Sequence, residues 1–164
     1  MQFRTILKKL LRVKNVIVER VYCEEKQGRE TLVIRIRQPE GKKCRCGICG
    51  KKAHGYDRGR GMRRWRALDF GPWTVFIEAE APRVYCREHG VVTENVSWAR
   101  HGAMFTYDFE NTVGWFVLHS PHTVVAEFMR IAWNTVGEIV NRVHDDIQEV
   151  RGSLFDGLVR VGID

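Results

Sequence analysis

The stretch Cys-Gly-Ile-Cys-Gly at residues 46–50 determines how this sequence folds, together with Cys-Arg-Glu-His-Gly at residues 86–90. In each stretch two side chains that can bind a metal ion are separated by two residues, and a glycine follows. Two donors at this spacing can face one tetrahedral ion, and the glycine permits the tight turn that comes next. We therefore predict that Cys46, Cys49, Cys86 and His89 bind one structural Zn²⁺, because four Cys and His ligands form the closed coordination that structural sites use.

Other cysteines and histidines compete for this site. Cys44 lies two residues before Cys46 and could replace it, and His54 and His101 are lesser competitors. Unpaired buried thiols and a redox pair are the alternatives to zinc. Cys23 lies in a β-branched segment, where a plain core residue is the expectation.

Length and composition exclude several classes of protein. The chain has 164 residues, 44% of them hydrophobic and 29% charged, as in a globular domain rather than a disordered or fibrous chain. No apolar run reaches the roughly 18 residues that a membrane span needs, and the first residues lack a signal-peptide core. Five cysteines, an odd number, argue against a secreted disulfide scaffold. We therefore expect a cytoplasmic protein with no membrane partner.

Positive charge is concentrated in the first part of the chain. Residues 1–100 contain 23 Lys and Arg against 11 Asp and Glu, whereas residues 101–164 contain 4 against 9. Lys and Arg are densest in residues 42–66, where aromatic and glycine residues lie among them. This composition suits a loop that lies along a phosphate backbone. Such runs are also common on solvated surfaces. We predict that DNA phosphates are contacted by Arg58, Arg60, Arg63, Arg64 and Arg66, with Trp65 packing beneath them or stacking.

The spacing of apolar residues predicts β-structure in the first hundred residues. A helix at residues 3–11 is expected to dock on a sheet, because its apolar side chains form one face. Hairpins are expected at residues 15–37 and 65–80, followed by short strands at 84–86 and 91–96. The second hairpin accounts for the 36 residues that separate Cys49 from Cys86.

Helical periodicity begins at residue 106 and predicts three helices. Ser120 before Pro121 predicts the start of the second helix, and Thr135 with Glu138 predicts a capping box at the start of the third. This arrangement favours a helix-turn-helix unit, whose last helix enters the major groove of DNA, although a packed bundle explains the same periodicity.

Base contacts in such a unit are assigned to the N-terminal end of its third helix. Asn134 and Thr135 lie at that end, and Arg130 and Arg142 flank it as further DNA-binding candidates. Three acids in residues 145–149 would repel phosphate and favour the packed bundle instead.

Several segments share the pattern of a known family. They lie at residues 46–50, 56–61, 64–69, 81–92, 98–102, 105–106, 109–110, 130–136 and 161–164. The most specific are Trp-Ala-Arg-His-Gly at residues 98–102 and Gly-Ile-Asp at residues 162–164. Over about residues 40–164 the sequence resembles the N-terminal part of the ISL-three family of bacterial insertion-sequence transposases, whereas residues 1–39 resemble it only loosely.

The resemblance implies a DDE transposase, in which a zinc module and a helix-turn-helix recognise the terminal inverted repeats of the element. These precede an RNase-H-like catalytic domain, and Asp164 would match the first acid of its triad. That acid would hold Mg²⁺ together with two further carboxylates. Because the sequence stops at Asp164, we expect this chain to be catalytically inactive, with Mg²⁺ a cofactor only of a full-length parent.

The predicted fold class is α+β. A small zinc-bound β-rich module is followed by a three-helix helix-turn-helix unit and one orphan strand of RNase-H-like type. The expected segments are an N-terminal helix and hairpin at 1–39, the zinc module at 40–100, the helix-turn-helix unit at 101–152 and the orphan strand at 153–164.

The expected function is therefore binding of double-stranded DNA at inverted repeats, by a protein associated with the nucleoid, and a homodimer is a candidate assembly. A stand-alone zinc-dependent DNA-binding regulator and a zinc-stabilised protein-interaction module are the alternatives. A dithiol enzyme is disfavoured, because the second stretch ends in histidine.

Overall fold

A computed structural model describes residues 3–26 and 28–151. The helices are α1 Phe3–Leu10, α2 Tyr107–Val117, α3 His122–Met129 and α4 Trp133–Arg151. The strands are β1 Ile17–Lys26, β2 Arg29–Arg37, β3 His54–Asp57, β4 Met62–Phe70, β5 Trp73–Glu80, β6 Arg83–Cys86 and β7 Gly90–Thr93. The α+β class is confirmed. The orphan strand and Asp164 lie outside the described residues.

Four strands form the larger sheet, in the order β1-β2-β5-β4. The pairs β1–β2 and β4–β5 are antiparallel hairpins, as the alternation of their residues predicts. A parallel pairing of β2 with β5 joins the two hairpins, with Val33 opposite Phe76. The hairpin at residues 15–37 and the hairpin at residues 65–80 therefore belong to one sheet.

One hydrophobic core lies against this sheet. Leu7 and Leu11 place the apolar face of α1 on it, which confirms the expected docking of that helix. Trp65 of β4 is only 1% exposed, and its ring meets that of Trp98 edge to face at 5.4 Å. The other members of the core are Val13, Val16, Val18, Ile34, Ile36, Ala67, Val75, Ile77, Ala79, Ala81, Val96 and Ala99.

Three short strands form the smaller sheet, in the order β3-β6-β7, and both of its pairings are antiparallel. Its own core is small: Cys46, Ala53, Val84 and Cys86, with Cys49 and Val92 packed against them. The last strand ends at Thr93, three residues earlier than predicted. Strand β4, with Arg63, Arg64 and Arg66, belongs to the larger sheet.

The chain divides into two compact units, Met1–Phe109 and Glu110–Asp164. In the second unit α3 buries Val125, Ala126 and Met129, while α4 buries Val136 and Ile139. None of the helices within the described residues is long and apolar enough to cross a membrane.

Two predicted helix starts are wrong. Pro121 keeps an extended conformation, with ψ 147°, so it is the N-cap of α3 rather than its first residue, and Ser120 lies outside the helix. Helix α4 begins at Trp133, and the N–H of Thr135 bonds to the carbonyl oxygen of Ala132 at 3.0 Å. Thr135 therefore lies in the first turn of α4 and does not form a capping box.

Candidate metal centre and nucleic-acid interface

Four side chains from two sequence-distant turns meet in the smaller sheet. The sulfur atoms of Cys46, Cys49 and Cys86 and a ring nitrogen of His89 all lie within 4.8 Å of one another. Cys49 Sγ lies 3.8 Å from Cys86 Sγ, and Nδ1 of His89 lies 3.7 Å from Cys46 Sγ and 3.6 Å from Cys86 Sγ. The structure thus brings together all four residues that the sequence selected.

These separations fit a tetrahedral zinc ion. With Zn–S bonds of about 2.3 Å and Zn–N bonds of about 2.0 Å, tetrahedral angles place two sulfurs about 3.8 Å apart and a sulfur and a nitrogen about 3.5 Å apart. The distances of 3.8, 3.7 and 3.6 Å agree with these values within about 0.2 Å. Three thiolates and one imidazole leave no open coordination position, which is the arrangement of a structural site rather than a catalytic one.

Local backbone geometry explains why these two stretches turn so tightly. Gly50 and Gly90, which end the two stretches, have φ angles of +68° and +67°, a region that residues with a Cβ rarely adopt. In the first turn the N–H of Ile48 points at Cys46 Sγ, at 3.4 Å. Such a backbone donor stabilises a thiolate, and therefore supports binding of a cation.

The environment of the thiols favours ionisation at two of the three. Burial alone would raise the pKa of Cys46, but backbone N–H groups of Cys49 and Ile48 outweigh it and lower that pKa. The pKa of Cys86 is lowered by contact with His89 and by the N–H of Glu88. The pKa of Cys49 is raised: the N–H of Lys51 lowers it, but burial and the two neighbouring thiols prevail.

The competing residues lie outside this group. Cys44 is not among the four donors, and its backbone N–H instead bonds to the buried carboxylate of Glu94 at 2.6 Å. His54 is exposed on β3, and burial lowers the pKa of His101. Cys23 is exposed on β1, so the expectation that it is a core residue is wrong.

Two of the five candidate arginines are engaged by acids within the larger sheet. Arg64 forms ion pairs with Glu24 and with Glu78, whose Oε1 lies 3.1 Å from Nε, and its bond to Glu24 raises its pKa above the ordinary value. The side chain of Arg66 is only 11% exposed and pairs with Asp69 at 3.2 Å. Arg64 links β4 to β1 and β5, whereas Arg66 pairs within β4. Trp65 between them is only 1% exposed, so its ring offers no free face to a base.

Two of the other three arginines, Arg60 and Arg63, line a positively charged concave surface. Arg58 and Arg60 are exposed in the turn between β3 and β4, and the guanidinium of Arg63 lies 5.1 Å from the ring centroid of Trp65. A cavity of about 790 Å³ is lined by Arg60, Arg63 and Arg64 together with Arg83. No acid is among its lining residues, so this surface attracts phosphate.

In the second unit, α3, a three-residue turn and α4 form a helix-turn-helix. Arg130 adopts a left-handed conformation, with φ 55°, and its N–H caps the last carbonyls of α3, so its backbone makes the turn. Asn134 is exposed in the first turn of α4, and Thr135 beside it is half-buried. The Oδ1 of Asn134 accepts the N–H of Thr135 at 3.0 Å.

Arg142 has a structural partner. Its Nε donates to Oε1 of Glu110 at 2.8 Å, and a second guanidinium nitrogen lies 2.6 Å from the same oxygen. Because Glu110 is fully buried, this pair neutralises a carboxylate inside the unit. Arg142 therefore links α4 to α2.

Sequence reasoning missed two residues of the site. Gly47 has no room for a side chain, because an added Cβ would lie 2.3 Å from Nδ1 of His101 and 2.4 Å from the carbonyl oxygen of Thr93. Arg83 lines the basic cavity from the smaller sheet. The sequence signal for Arg83 is its position three residues before Cys86. The sequence contains no comparable signal for Gly47, because its role depends on contacts between distant segments.

Comparison with known proteins adds independent findings. Residues 42–89 match the model of the zinc-finger of transposase IS204/IS1001/IS1096/IS1165, and residues 94–144 match the helix-turn-helix domain of transposase family ISL3. Two transposases for insertion sequence element IS1557, from two strains of Mycobacterium tuberculosis, are each 46% identical to the chain over 153 residues. The alignment covers 92% of this chain and 34% of each relative, so the chain spans about a third of their length. No solved structure matches.

Proposed function

This chain belongs to the ISL3 family of transposases, whose zinc-finger and helix-turn-helix domains it carries in that order, and we propose that it recognises the terminal inverted repeats of an insertion sequence. It is a DNA-binding portion of such a transposase. The observation that carries the proposal is the helix-turn-helix of α3 and α4, with the amide of Asn134 exposed at the N-terminal end of α4.

Base recognition is proposed for α4. An asparagine side chain can donate to and accept from adenine in the major groove, and N-terminal residues of a recognition helix reach base edges. Thr135 supports Asn134 from the same turn, and Arg130 borders the turn before it. Arg142 contributes by neutralising Glu110 and thereby holding α4 in place.

Phosphate contacts are proposed for the first unit. Arg60 and Arg63 supply charge at the basic cavity, and Arg58 is exposed in the same turn as Arg60. Arg64, Trp65 and Arg66 support them from β4 by ion pairs and packing. Phosphate contacts of this kind position a protein on DNA but do not read sequence.

The zinc ion is proposed to be structural. Cys46, Cys49, Cys86 and His89 would hold it, the histidine through Nδ1, which is the nitrogen that faces the sulfurs. When bound, the ion supplies folding free energy to the smaller sheet, whose own hydrophobic core is limited to a few side chains. It performs no chemistry on DNA.

The activity of a full-length parent is proposed from the family alone. Asp164 would be the first of three carboxylates that hold Mg²⁺ for DNA strand transfer. We further propose that the protein is cytoplasmic and associates with the nucleoid through the contacts described above.

A homodimer is proposed because two inverted repeats present the same site twice. The helical unit carries an apolar patch that suits such a contact. Trp115 and Phe128 are 58% and 68% exposed, and the ring of Phe116 contacts both, at 5.2 Å and 5.3 Å between centroids.

Binding to labelled duplexes tests the proposed function. We expect the terminal repeat of the encoding element to bind more tightly than a scrambled duplex of equal length. Asn134→Ala should cost about 1–3 kcal/mol on the repeat and little on the scrambled duplex, because one base contact is lost. Asn141→Ala, an exposed asparagine two turns further along α4, is the matched control. Equal affinity of the wild type for both duplexes would refute the proposal.

A further inference from the structure

The outer face of the smaller sheet carries exposed aromatic and basic side chains, and the duplex proposal does not use its aromatic rings. His54, Tyr85 and Val91 stand directly opposite one another on β3, β6 and β7. Opposite residues of antiparallel strands project to the same face, about 5 Å apart at Cβ. All three are exposed, and Tyr85 and Val91 are 50% and 40% accessible.

The two faces of this sheet have opposite characters. Along β6, Val84 and Cys86 point inward to the metal-binding side and are buried. Arg83 and Tyr85 alternate with them and point outward. The aromatic side chain of Tyr85 is therefore not part of a core, and it lies next to Cys86 of the candidate metal site.

Tyr56 extends this face at the register shift in β3. It is 58% exposed, and the guanidinium of Arg83 lies 5.4 Å from its ring centroid, within range of a cation–π contact. Arg83 is itself held by Asp57, whose Oδ1 accepts from Nε at 2.9 Å. The ring of Tyr56 is thus oriented before any ligand arrives.

The charge around these rings favours a polyanion over a protein. Residues 51–60 and 83–93 contain six Lys and Arg against two acids. Both acids are already paired, Asp57 with Arg83 and Glu88 with Lys51. Among the described residues, no ion pair engages Lys52, Arg58, Arg60 or Arg87, so these two segments carry a net positive charge.

The geometry points to a binding surface for single-stranded DNA, formed by Tyr56, Arg83 and Tyr85 with His54. Aromatic rings on a sheet stack on nucleobases whose faces are free, and nearby Lys and Arg side chains contact the phosphates. In a duplex the base faces are covered by their neighbours, so exposed tyrosines add little to duplex affinity. This surface goes beyond the proposed duplex recognition, and would hold strands that are unpaired at the end of an element.

Binding of an oligothymidine strand of about 16 nucleotides, which cannot form a duplex, tests the inference. We expect the zinc-loaded full chain to bind it at low salt, and Tyr85→Ala and Tyr56→Ala to weaken binding by about 5- to 100-fold each. The Tyr→Phe variants retain the ring and should stay within about 3-fold of wild type. Phe3→Ala removes a similarly exposed ring from α1, where no binding is proposed, and is the control, which should bind as wild type does.

Wild-type affinity of both alanine variants would overturn the inference, and so would equal losses in the phenylalanine and alanine variants. Failure of the wild type to bind the strand, with duplex binding intact, would overturn it as well and would leave this face to a protein partner. The proposed function fails separately, if the inverted repeat is not preferred over the scrambled duplex.

A second measurement covers the case in which Tyr85→Ala disturbs the adjacent Cys86. The wild-type protein is crosslinked by light to a strand carrying 5-iododeoxyuridine, and the crosslinked peptides are mapped. Crosslinks at Tyr56 or Tyr85 support the inference. Crosslinks confined to peptides outside residues 51–60 and 83–93 overturn it.

Discussion

Two buried carboxylates, Glu78 and Glu110, each neutralised by arginine, show what individual residues do in this protein. Glu78 is 6% exposed and accepts bonds from Tyr22, Arg35 and Arg64, at 3.1, 2.8 and 3.1 Å. A charge inside a protein is tolerated when it is paired and hydrogen-bonded in this way. Arginines that a sequence offers as DNA contacts can thus be required by the fold.

Glu78 makes stability depend on pH. Burial alone would raise its pKa, but the bonds from Arg35, Arg64 and Tyr22 outweigh burial and lower it. A carboxyl whose pKa is lower when folded contributes stability above its ordinary pKa of about 4.5, and this contribution is lost as the pH falls through the folded pKa. At pH 7 the free energy of unfolding of Glu78→Gln should therefore be about 1–3 kcal/mol lower than that of wild type. The variant should also lose less of its free energy of unfolding than wild type when the pH is lowered.

Urea unfolding at several pH values between 7 and 3 measures this effect. Glu30→Gln, an exposed residue of β2, is the control and should keep the wild-type acid profile. Parallel profiles for wild type and Glu78→Gln would contradict the prediction.

Arg142→Ala should destabilise the helical unit even without DNA. It leaves Glu110 buried without this arginine, and loss of one partner of a buried pair costs about 3–5 kcal/mol. Thermal unfolding followed by circular dichroism checks this, with Glu149→Ala on the exposed side of α4 as control. Unchanged stability together with weaker DNA binding would instead identify Arg142 as a phosphate contact.

Gly47→Ala should weaken metal binding. The added Cβ would overlap the carbonyl oxygen of Thr93, so the backbone of the first turn must shift and move Cys46 or Cys49. We expect zinc affinity to fall by on the order of 10-fold or more in a competition with a chelator. Gly41→Ala, where an added Cβ meets nothing within 4 Å, is the matched control. An unaltered zinc affinity in Gly47→Ala would show that the turn has more freedom than its contacts indicate.

At the scale of elements, the two sheets differ in what stabilises them. The larger sheet buries a continuous set of apolar side chains that includes Ile34, Trp65 and Ile77. The smaller sheet consists of strands of four residues and has a core made largely of its metal-binding cysteines. A metal ion bound by these cysteines would therefore contribute more to the stability of the smaller sheet than to that of the larger sheet.

Removal of zinc should unfold the smaller sheet and spare the larger one. Hydrogen exchange after chelation, and in Cys86→Ser, should show fast exchange at the amides of β6 and β7 and continued protection in β2 and β5. Cys23→Ser, at an exposed cysteine of β1, is the control and should behave as wild type. Loss of protection in both sheets at once would show that they form a single cooperative unit.

At the scale of the whole molecule, charge is divided along the chain. The first hundred residues are strongly basic and contain the concave arginine surface, whereas the remainder has more acids than bases. Within that remainder Glu110 is buried and paired, so the acids do not all face a ligand. The first unit should therefore supply most of the phosphate contacts, and α4 the base contacts.

The salt dependence of duplex binding measures these phosphate contacts. Each contact contributes about 0.9 to the slope of log affinity against log salt concentration. Substitution of Arg58, Arg60 and Arg63 by alanine together should reduce the slope by about 3. Substitution of Arg4, Lys8 and Lys9 on α1 removes the same charge and should change it much less. Equal reductions in both triple variants would indicate a general charge effect and contradict the assigned surface.

Local sequence patterns were enough to predict much of this protein's structure. The two pairs of candidate metal ligands, the two hairpins, the docking face of α1 and the order of the helices all follow from spacing and periodicity, because each depends on neighbours within a few residues. The family was recognised from short motifs for the same reason. Helix starts were less well predicted, since Ser120 and Thr135 have capping chemistry but not the backbone conformation that a cap requires.

Partners that are distant in sequence were decided only by the folded chain. The parallel pairing of β2 with β5 places Glu78 beside Arg35, and the adjacent β4 brings Arg64 to the same carboxylate. Arg64, predicted from the sequence as a DNA contact, is therefore also part of a structural ion pair, as Arg142 is with Glu110. Which acid a basic residue meets depends on the packing of segments far apart in the chain, and a pattern of neighbouring residues does not contain that information.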